Sequence, residues 1–125
     1  MKAEKAFAVI GRKLEKEYKK IGFKYLGKRM FLKKTTKKYD YYIFFSSFFE
    51  YIPGVRIEFR VDLIINDRVL LKNNINANIE LFHMNLWEMG SHYNIANEEL
   101  IQSVFADLKI KIDDYLLPQI KKLDP

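Results

Sequence analysis

The most apolar part of the chain is its middle, where two stretches flank a Pro-Gly pair. Residues 41–51 are mostly aromatic, and residues 55–63 alternate strictly between apolar and charged side chains. Aromatic and β-branched residues favour a pleated, half-buried strand, and Pro53-Gly54 supplies the backbone angles of a reversing turn. The pattern predicts a long antiparallel hairpin that forms the middle of a sheet.

A spacing of three to four residues between apolar positions marks a predicted helix on either side of this hairpin. The first covers about 2–20 and ends at Gly22, because glycine accepts the left-handed conformation that terminates helices. The second begins after Asn97, a good N-cap. Pro118 breaks or kinks this second helix, since its ring cannot continue the hydrogen-bond ladder, and residues 119–123 add one more turn.

Shorter elements are predicted between the hairpin and the helices. They comprise a short segment at 23–27, a strand at 28–34, a turn at 65–68, a strand at 68–72, a strand from 75 to about 84, and a loop at 85–97. Within 75–84 the apolar residues alternate as in a strand, yet Ile75, Ile79 and Phe82 also share one face of a helix.

The order helix, strands, helix predicts an α+β fold. We expect an antiparallel sheet of four to five strands, with the N- and C-terminal helices packed on one face and the other face open. At 125 residues the chain is expected to form a single domain over 1–125.

Composition excludes several classes of site. The chain has no cysteine, which excludes disulfides and thiolate metal sites and fits a reducing compartment. No stretch has the ~20 apolar residues of a membrane span, and the first residues do not form a signal peptide. We therefore expect a cytoplasmic protein without a membrane partner, and the lysine-, isoleucine- and asparagine-rich composition is typical of AT-rich bacterial genomes.

Charge is distributed unevenly along the chain. Residues 1–38 hold fourteen Lys/Arg and three Glu, a net of +11, whereas residues 39–125 hold eight Lys/Arg and thirteen Asp/Glu, a net of −5. A basic region of this kind attracts phosphate or an acidic protein surface. A lysine-rich soluble face is the alternative interpretation.

The chain contains several short motifs whose order along the sequence we recognise. They are Gly22-Phe23-Lys24, Gly27, Met30-Phe31-Leu32-Lys33, the strand end Phe45-Ser46-Ser47, Trp87-Glu88-Met89 and Tyr115-Leu116-Leu117-Pro118. This layout resembles an uncharacterised bacterial domain family, one of the numbered domains of unknown function. The resemblance covers most of the chain except residues 66–80. It implies the same fold, and because the family has no assigned activity, it implies no catalytic residue.

The strands of the hairpin offer a candidate contact surface on the side away from the predicted helices. Aromatic and arginine side chains alternate onto this side; they are Tyr42, Phe44, Phe48, Arg56 and Arg60. The aromatic residues have three alternative uses: stacking on a base or planar ligand, forming half of a homodimer, or becoming extra core beneath residues 73–97. The alternating charges of residues 56–62 also fit a solvated face on which they neutralise one another.

The two histidines belong to the spacings Glu80-x-x-His83 and Glu88-x-x-x-His92. Neither matches a known ligand pattern, and a zinc site needs three or four ligands, so we assign no metal. No phosphate-binding glycine motif or nucleophile elbow is present, and we assign no cofactor and no catalytic residue.

Three functions are compatible with these patterns. The first is a non-enzymatic interaction module that binds a protein partner, or a second copy, through the open sheet face. The second is a nucleic-acid binder in which the basic N-terminal third contacts phosphates, through Lys13, Lys16, Lys20, Lys24, Lys28, Arg29, Lys33 and Lys34. The third, ranked lowest, is an enzyme with a pocket between residues 73–97 and the sheet.

Overall fold

The computed structural model describes residues 2–52, 55–69 and 80–125, and of residues 47–51 it describes the backbone. The helices are α1 (Ala3–Tyr18), α2 (Glu98–Lys111) and α3 (Leu117–Leu123), and the strands are β1 (Lys24–Leu26), β2 (Phe31–Thr35), β3 (Tyr39–Ile52), β4 (Arg56–Asp67), β5 (Glu80–Asn85) and β6 (Tyr93–Asn94). The predicted α+β class, an antiparallel sheet with N- and C-terminal helices, is confirmed.

The sheet has the strand order β1-β2-β3-β4-β5, and the two-residue β6 pairs with β4. All of these pairs are antiparallel. Within the described residues the sheet thus has six strands, one more than the upper limit predicted, because the predicted loop at 85–97 contributes β6. Strand β4 lies between β3 on one side and β5 and β6 on the other, so the strand after Gly54 is interior to the sheet, as predicted.

The predicted hairpin is present as β3 and β4, which pair from Tyr39↔Asp67 to Ile52↔Arg56. Its turn, Pro53-Gly54, lies outside the described residues. The register shifts between Ser47 and Tyr51. Three residues of β3 (48–50) therefore lie opposite one residue of β4, and the regular cross-strand pairing is interrupted there.

One face of the sheet, which we call the core face, carries the buried apolar side chains. Those of the hairpin that are nearly fully buried are Tyr41, Ile43, Phe45, Ile57, Phe59, Val61, Leu63 and Ile65. Phe7 of α1 joins this cluster, with its ring centroid 5.2 Å from that of Phe59 and 6.3 Å from that of Phe45. These contacts place α1 against the core face; that both helices lie entirely on it stays a prediction.

Three tyrosine–aspartate hydrogen bonds join the C-terminal region to the rest of the fold. Tyr18 on α1 donates to Asp113 at 2.8 Å, Tyr93 on β6 donates to Asp107 at 2.7 Å, and Tyr41 on β3 donates to Asp124. Burial, and then the neighbouring carboxylate, raises the pKa of each of these tyrosines. Each hydroxyl therefore stays protonated and keeps its donor role at neutral pH.

A close contact between Gly11 and Tyr25 fixes α1 on the edge of the sheet. A Cβ atom added at Gly11 would lie 2.4 Å from the Tyr25 ring, so this position has room for glycine alone. Glu15, one turn further along α1, accepts a hydrogen bond from the Tyr25 backbone nitrogen at 2.7 Å. A short 3₁₀ turn then follows α1 and ends at Gly22, whose φ of 103° is the left-handed conformation predicted for it.

The C-terminal helix also follows the prediction closely. The Asn97 side chain accepts a hydrogen bond from the Leu100 backbone nitrogen at 2.9 Å, which is the N-cap expected from the sequence. After α2 the backbone forms one π-helical turn over Ile112–Leu116. Pro118 lies in the first turn of α3, where its missing N–H costs no hydrogen bond. The regular α-helix is thus interrupted by the π-helical turn that precedes the proline, and it resumes at Leu117.

Three predicted local elements differ from the structure. The turn at 65–68 is absent, because β4 continues to Asp67, and Arg68 and Val69 are helical where a strand was expected. The strand expected at 28–34 begins later, at Phe31, because residues 27–29 form a 3₁₀ turn that ends at Met30 with a positive φ of 55°. The part of the prediction that covers 70–79 lies outside the described residues.

Candidate functional site

The sheet face opposite the core, here called the outer face, brings together most of the predicted contact surface. Cross-strand pairing sets Phe31 beside Phe44, Phe44 beside Asp62, and Asp62 beside Asn85. A neighbouring row runs from Lys33 through Tyr42 and Ile64 to His83. Paired residues project to the same side of a sheet, so these two rows form one continuous surface across four strands.

Three aromatic rings on the outer face form a cluster that we call the aromatic patch: Phe31, Tyr42 and Phe44. The Phe31 ring centroid lies 5.3 Å from that of Tyr42, edge to face, and 5.7 Å from that of Phe44, nearly parallel. Tyr42 and Phe44 are half-buried, whereas Phe31, beside them on β2, is buried. The Lys33 ammonium lies 5.4 Å from the Tyr42 ring centroid, within the range of a cation–π contact.

The two candidate arginines are exposed but already have acidic neighbours. Arg56 Nε lies 3.5 Å from a carboxylate oxygen of Glu58, and Arg60 Nε lies 3.8 Å from one of Asp62. These ion pairs run along one face of β4, as expected for alternating charges that neutralise one another. Phe48, the remaining candidate, lies in the irregular part of β3, and its side chain is outside the described residues.

His83 lies between two carboxylates on the outer face. Its Nε2 is 2.9 Å from Asp62 Oδ1, and its Nδ1 is 2.9 Å from Glu80 Oε1. The hydrogen bond with Asp62 is the main cause that raises the pKa of His83, and Glu80 adds to it. Since both ring nitrogens face acceptors, the arrangement favours the doubly protonated imidazolium.

The same geometry gives no metal site. The two carboxylates approach opposite nitrogens of one ring, so they do not converge on a shared point. Across residues 2–52, 55–69 and 80–125, no group of three or more acidic or histidine side chains is arranged to hold a metal ion.

A second buried carboxylate, Asp40, lies at the other end of the outer face. It accepts a hydrogen bond from the Thr35 hydroxyl at 2.9 Å, and the nearest nitrogens of Arg68 and Lys33 lie 3.6 and 3.9 Å away. Asp40 and Asp62 are each only 6 % exposed. Each of these two buried carboxylates thus lies within 4.0 Å of two basic side chains, in keeping with the need of buried charges for partners.

The N-terminal cations have a different environment, in the region that we call the basic lobe: α1, β1, β2 and the turns between them. These elements contact one another directly. Six of the predicted phosphate contacts are exposed there, and in the described parts of the chain no carboxylate lies within 4.0 Å of their nitrogens. The six are Lys13, Lys16, Lys20, Lys24, Lys28 and Arg29.

The other two predicted phosphate contacts are partly engaged within the protein. Lys33 lies near Asp40 and over Tyr42, and Lys34 donates a hydrogen bond to the Ile21 carbonyl. Glu15, one of the lobe's few acids, is held by Arg12 at 2.9 Å and by the Tyr25 backbone. The backbone hydrogen bond is the main cause that lowers the pKa of Glu15, so this carboxylate is engaged with its own neighbours.

A cleft of about 380 Å³ opens between residues 90–94 and α2. It is lined by polar as well as apolar side chains, and it lies beside α2, not between the loop and the sheet where we expected a pocket. The His92 ring stacks on Trp87 at 3.8 Å, and the Tyr93 hydroxyl is bound to Asp107. In the described residues no hydrogen bond joins His92 to a serine.

Comparison with known proteins adds no assignment. No family model matches the chain, and no curated protein or solved structure matches it. The resemblance noted in the sequence therefore remains a resemblance, and any function must be argued from the residues of this chain. No helix in the described residues is long and apolar enough to cross a membrane.

Sequence reasoning missed the arrangement around His83. Glu80 and His83 are three residues apart, so regular alternation would place them on opposite faces of β5. The register between β4 and β5 shifts beside Asn66, which pairs with Glu80 while Ile65 pairs with Phe82. This irregularity returns Glu80 to the face of His83, and the spacing alone carried no signal for it.

Proposed function

We propose that the protein is a non-enzymatic binding module that binds a polyanion, such as the phosphate backbone of a nucleic acid, through the basic lobe. One observation carries the proposal: six exposed cations share one lobe, and in the described residues no carboxylate lies within 4.0 Å of any of them. Like charges held close together repel one another, and a polyanion relieves that repulsion while releasing its own counterions.

The contrast with the outer face supports this choice over the interaction module that we ranked first from the sequence. Arg56 and Arg60 have carboxylates within 4.0 Å, so binding an external anion there requires an existing ion pair to be exchanged. The exposed cations of the basic lobe need no such exchange. The electrostatic gain on binding is therefore larger for the lobe.

Fluorescence anisotropy with labelled duplex and single-stranded DNA, at about 50 and 200 mM salt, tests the proposal. If the six cations each meet a phosphate, affinity falls by about 10³-fold across this range, because the slope is near −0.9 per phosphate. Absence of binding to either DNA at the lower salt would refute the proposal.

A pair of matched variants separates the lobe from overall charge. Lys24→Gln with Lys28→Gln lowers the salt slope by about 2, since each lost phosphate contact removes roughly one unit. Lys121→Gln with Lys122→Gln removes the same charge from the exposed end of α3 and leaves the slope unchanged. Equal losses in both pairs would show that net charge alone drives binding.

A protein contact at the hairpin end is the second candidate, and one observation favours it. Ile52 and Val55 are 52 % and 63 % exposed, and they flank the turn beside the exposed Arg56. Exposed apolar side chains grouped in this way mark contact surfaces. We propose a second copy of the chain as the occupant: sedimentation should show a dimer that Val55→Lys dissociates, and a monomer at all concentrations would remove this candidate.

A further inference from the structure

The aromatic patch and the basic lobe share a strand. Phe31 and Lys33 both belong to β2, and Lys33 pairs with Lys24 on one side and with Tyr42 on the other. Adjacent strands lie about 4.8 Å apart, so this row carries an exposed cation and an aromatic ring roughly 10 Å from each other. A ligand lying across β1, β2 and β3 therefore meets positive charge and then aromatic rings.

We propose that this surface binds single-stranded nucleic acid, with bases stacked on Tyr42 and Phe44 and the backbone running over Lys24, Lys28 and Arg29. The proposal rests on the proposed function and narrows its ligand class. Single-strand binders combine a positive groove that follows the phosphates with aromatic side chains on which successive bases stack.

The position of Tyr42 and Phe44 fits stacking better than core packing. Both are half-buried side chains on the outer face, whereas the core-face residues that alternate with them, Ile43 and Phe45, are almost fully buried. Phe31 lies against both rings from the neighbouring strand β2. A base that stacks on the patch covers apolar surface that solvent now reaches.

The position of Lys33 fits the same ligand. Its ammonium lies 5.4 Å from the Tyr42 ring centroid and only loosely, at 3.9 Å, from Asp40. A phosphate placed between Lys24 and Tyr42 lies within reach of Lys33 as well, because Lys33 occupies the strand between them. The row thus offers two cations for the phosphate that precedes the stacked base.

A preference for single strands follows from the chemistry of stacking. In a duplex the base faces are stacked on one another, so they cannot contact Tyr42 or Phe44 without unpairing. Base–aromatic stacking contributes about 1–3 kcal/mol per base, which corresponds to roughly 5- to 150-fold in affinity. A polyanion without bases, such as heparin, gains only the electrostatic part.

The test compares three ligands at about 50 mM salt: a labelled oligothymidylate, a duplex of the same length, and heparin. Tyr42→Leu and Phe44→Leu are each expected to weaken oligothymidylate binding by about 5- to 150-fold and to leave duplex and heparin binding unchanged. Tyr42→Phe keeps the ring and should restore wild-type affinity. Tyr115→Leu, at a partly exposed tyrosine of the C-terminal region, serves as the matched control.

The outcomes separate this inference from the proposed function. If the wild-type protein binds none of the three ligands, the polyanion proposal fails and this one fails with it. If it binds all three, and the leucine variants bind oligothymidylate as tightly as the wild type does, only the single-strand inference is overturned. A leucine variant that converts a dimer into a monomer would assign the patch to self-association instead, and urea midpoints confirm that each variant is folded.

Discussion

The basic lobe and the β4–β5 part of the outer face both carry many charges, but they differ in how many of their cations lie beside a carboxylate. On β4 and β5, Arg56, Arg60 and His83 each lie within 4.0 Å of a carboxylate. In the basic lobe, Lys24, Lys28 and the other four of the six exposed cations predicted to contact phosphate have no such neighbour in the described residues.

We expect this difference to separate charges that stabilise the fold from the charges that we propose bind a ligand. The buried Asp62 pairs with Arg60 along β4 and with His83 across to β5, so losing a partner leaves its carboxylate poorly neutralised. An exposed, unmatched lysine contributes little to folding, so its removal costs little. Mutations in the two regions should therefore affect different measurements, namely stability for β4–β5 and binding for the lobe.

The largest expected effect tests how the lobe is assembled. Gly11→Val inserts a branched side chain where a single Cβ already lies 2.4 Å from the buried Tyr25 ring, so α1 must move away from β1. We expect a loss of about 3 kcal/mol in the free energy of unfolding, measured by urea denaturation.

The matched control for that change is Ala8→Val in the same helix. Ala8 is exposed, so this variant should lose only about 0.5 kcal/mol in the free energy of unfolding, because a β-branched residue has a lower helix propensity than alanine. If the two variants were equally stable, the close contact between Gly11 and Tyr25 would not be what fixes α1 on the sheet.

A smaller effect is expected from breaking the matched charges themselves. Asp62→Ala removes the buried carboxylate shared by Arg60 and His83, and it should lower the free energy of unfolding by about 1–2 kcal/mol. Lys28→Gln in the basic lobe should change it by less than about 0.5 kcal/mol. Urea denaturation of both variants measures the contrast, and similar losses would contradict the division between the two regions.

The smallest effect is a pH dependence that belongs to His83. The folded state raises the pKa of His83, so its contribution to stability is complete below the unfolded value of about 6.5 and is lost as pH rises through the folded value. The side chain is 42 % exposed, so we expect no more than about 1 kcal/mol.

Thermal or urea denaturation from acidic to mildly alkaline pH measures this contribution. The free energy of unfolding of His83→Gln should depend less on pH across this window than that of the wild type. His92→Gln should keep the wild-type dependence. A wild-type protein that gains stability relative to His83→Gln as pH rises would reverse the expected sign.

Much of the fold could be predicted because its signals are local. The aromatic run before Pro53, the strict alternation after Gly54 and the N-cap at Asn97 each act within a few residues of the chain. The hairpin, the interior position of β4 and the start of α2 follow from them. The extent of β4 could not be predicted from the sequence, because Asn66 and Asp67 favour turns but here continue a paired strand.

The candidate site was predicted less completely, because its arrangement depends on pairing between distant strands. Sequence alone identified Tyr42, Phe44 and the basic residues, but not the placement of Lys33 between Lys24 and Tyr42. The register irregularity beside Leu81 decides that Glu80 and His83 share a face, and no local pattern marks it.

The tyrosine–aspartate hydrogen bonds have a consequence for how fast the chain folds. Tyr18 and Asp113 are 95 residues apart, and Tyr41 and Asp124 are 83 apart, so each bond closes most of the polypeptide into a loop. Such closures cost entropy before they return any contact energy, and proteins rich in them cross the folding barrier slowly. We therefore expect refolding of the whole chain on the millisecond-to-second scale, slower than for helical proteins of similar size.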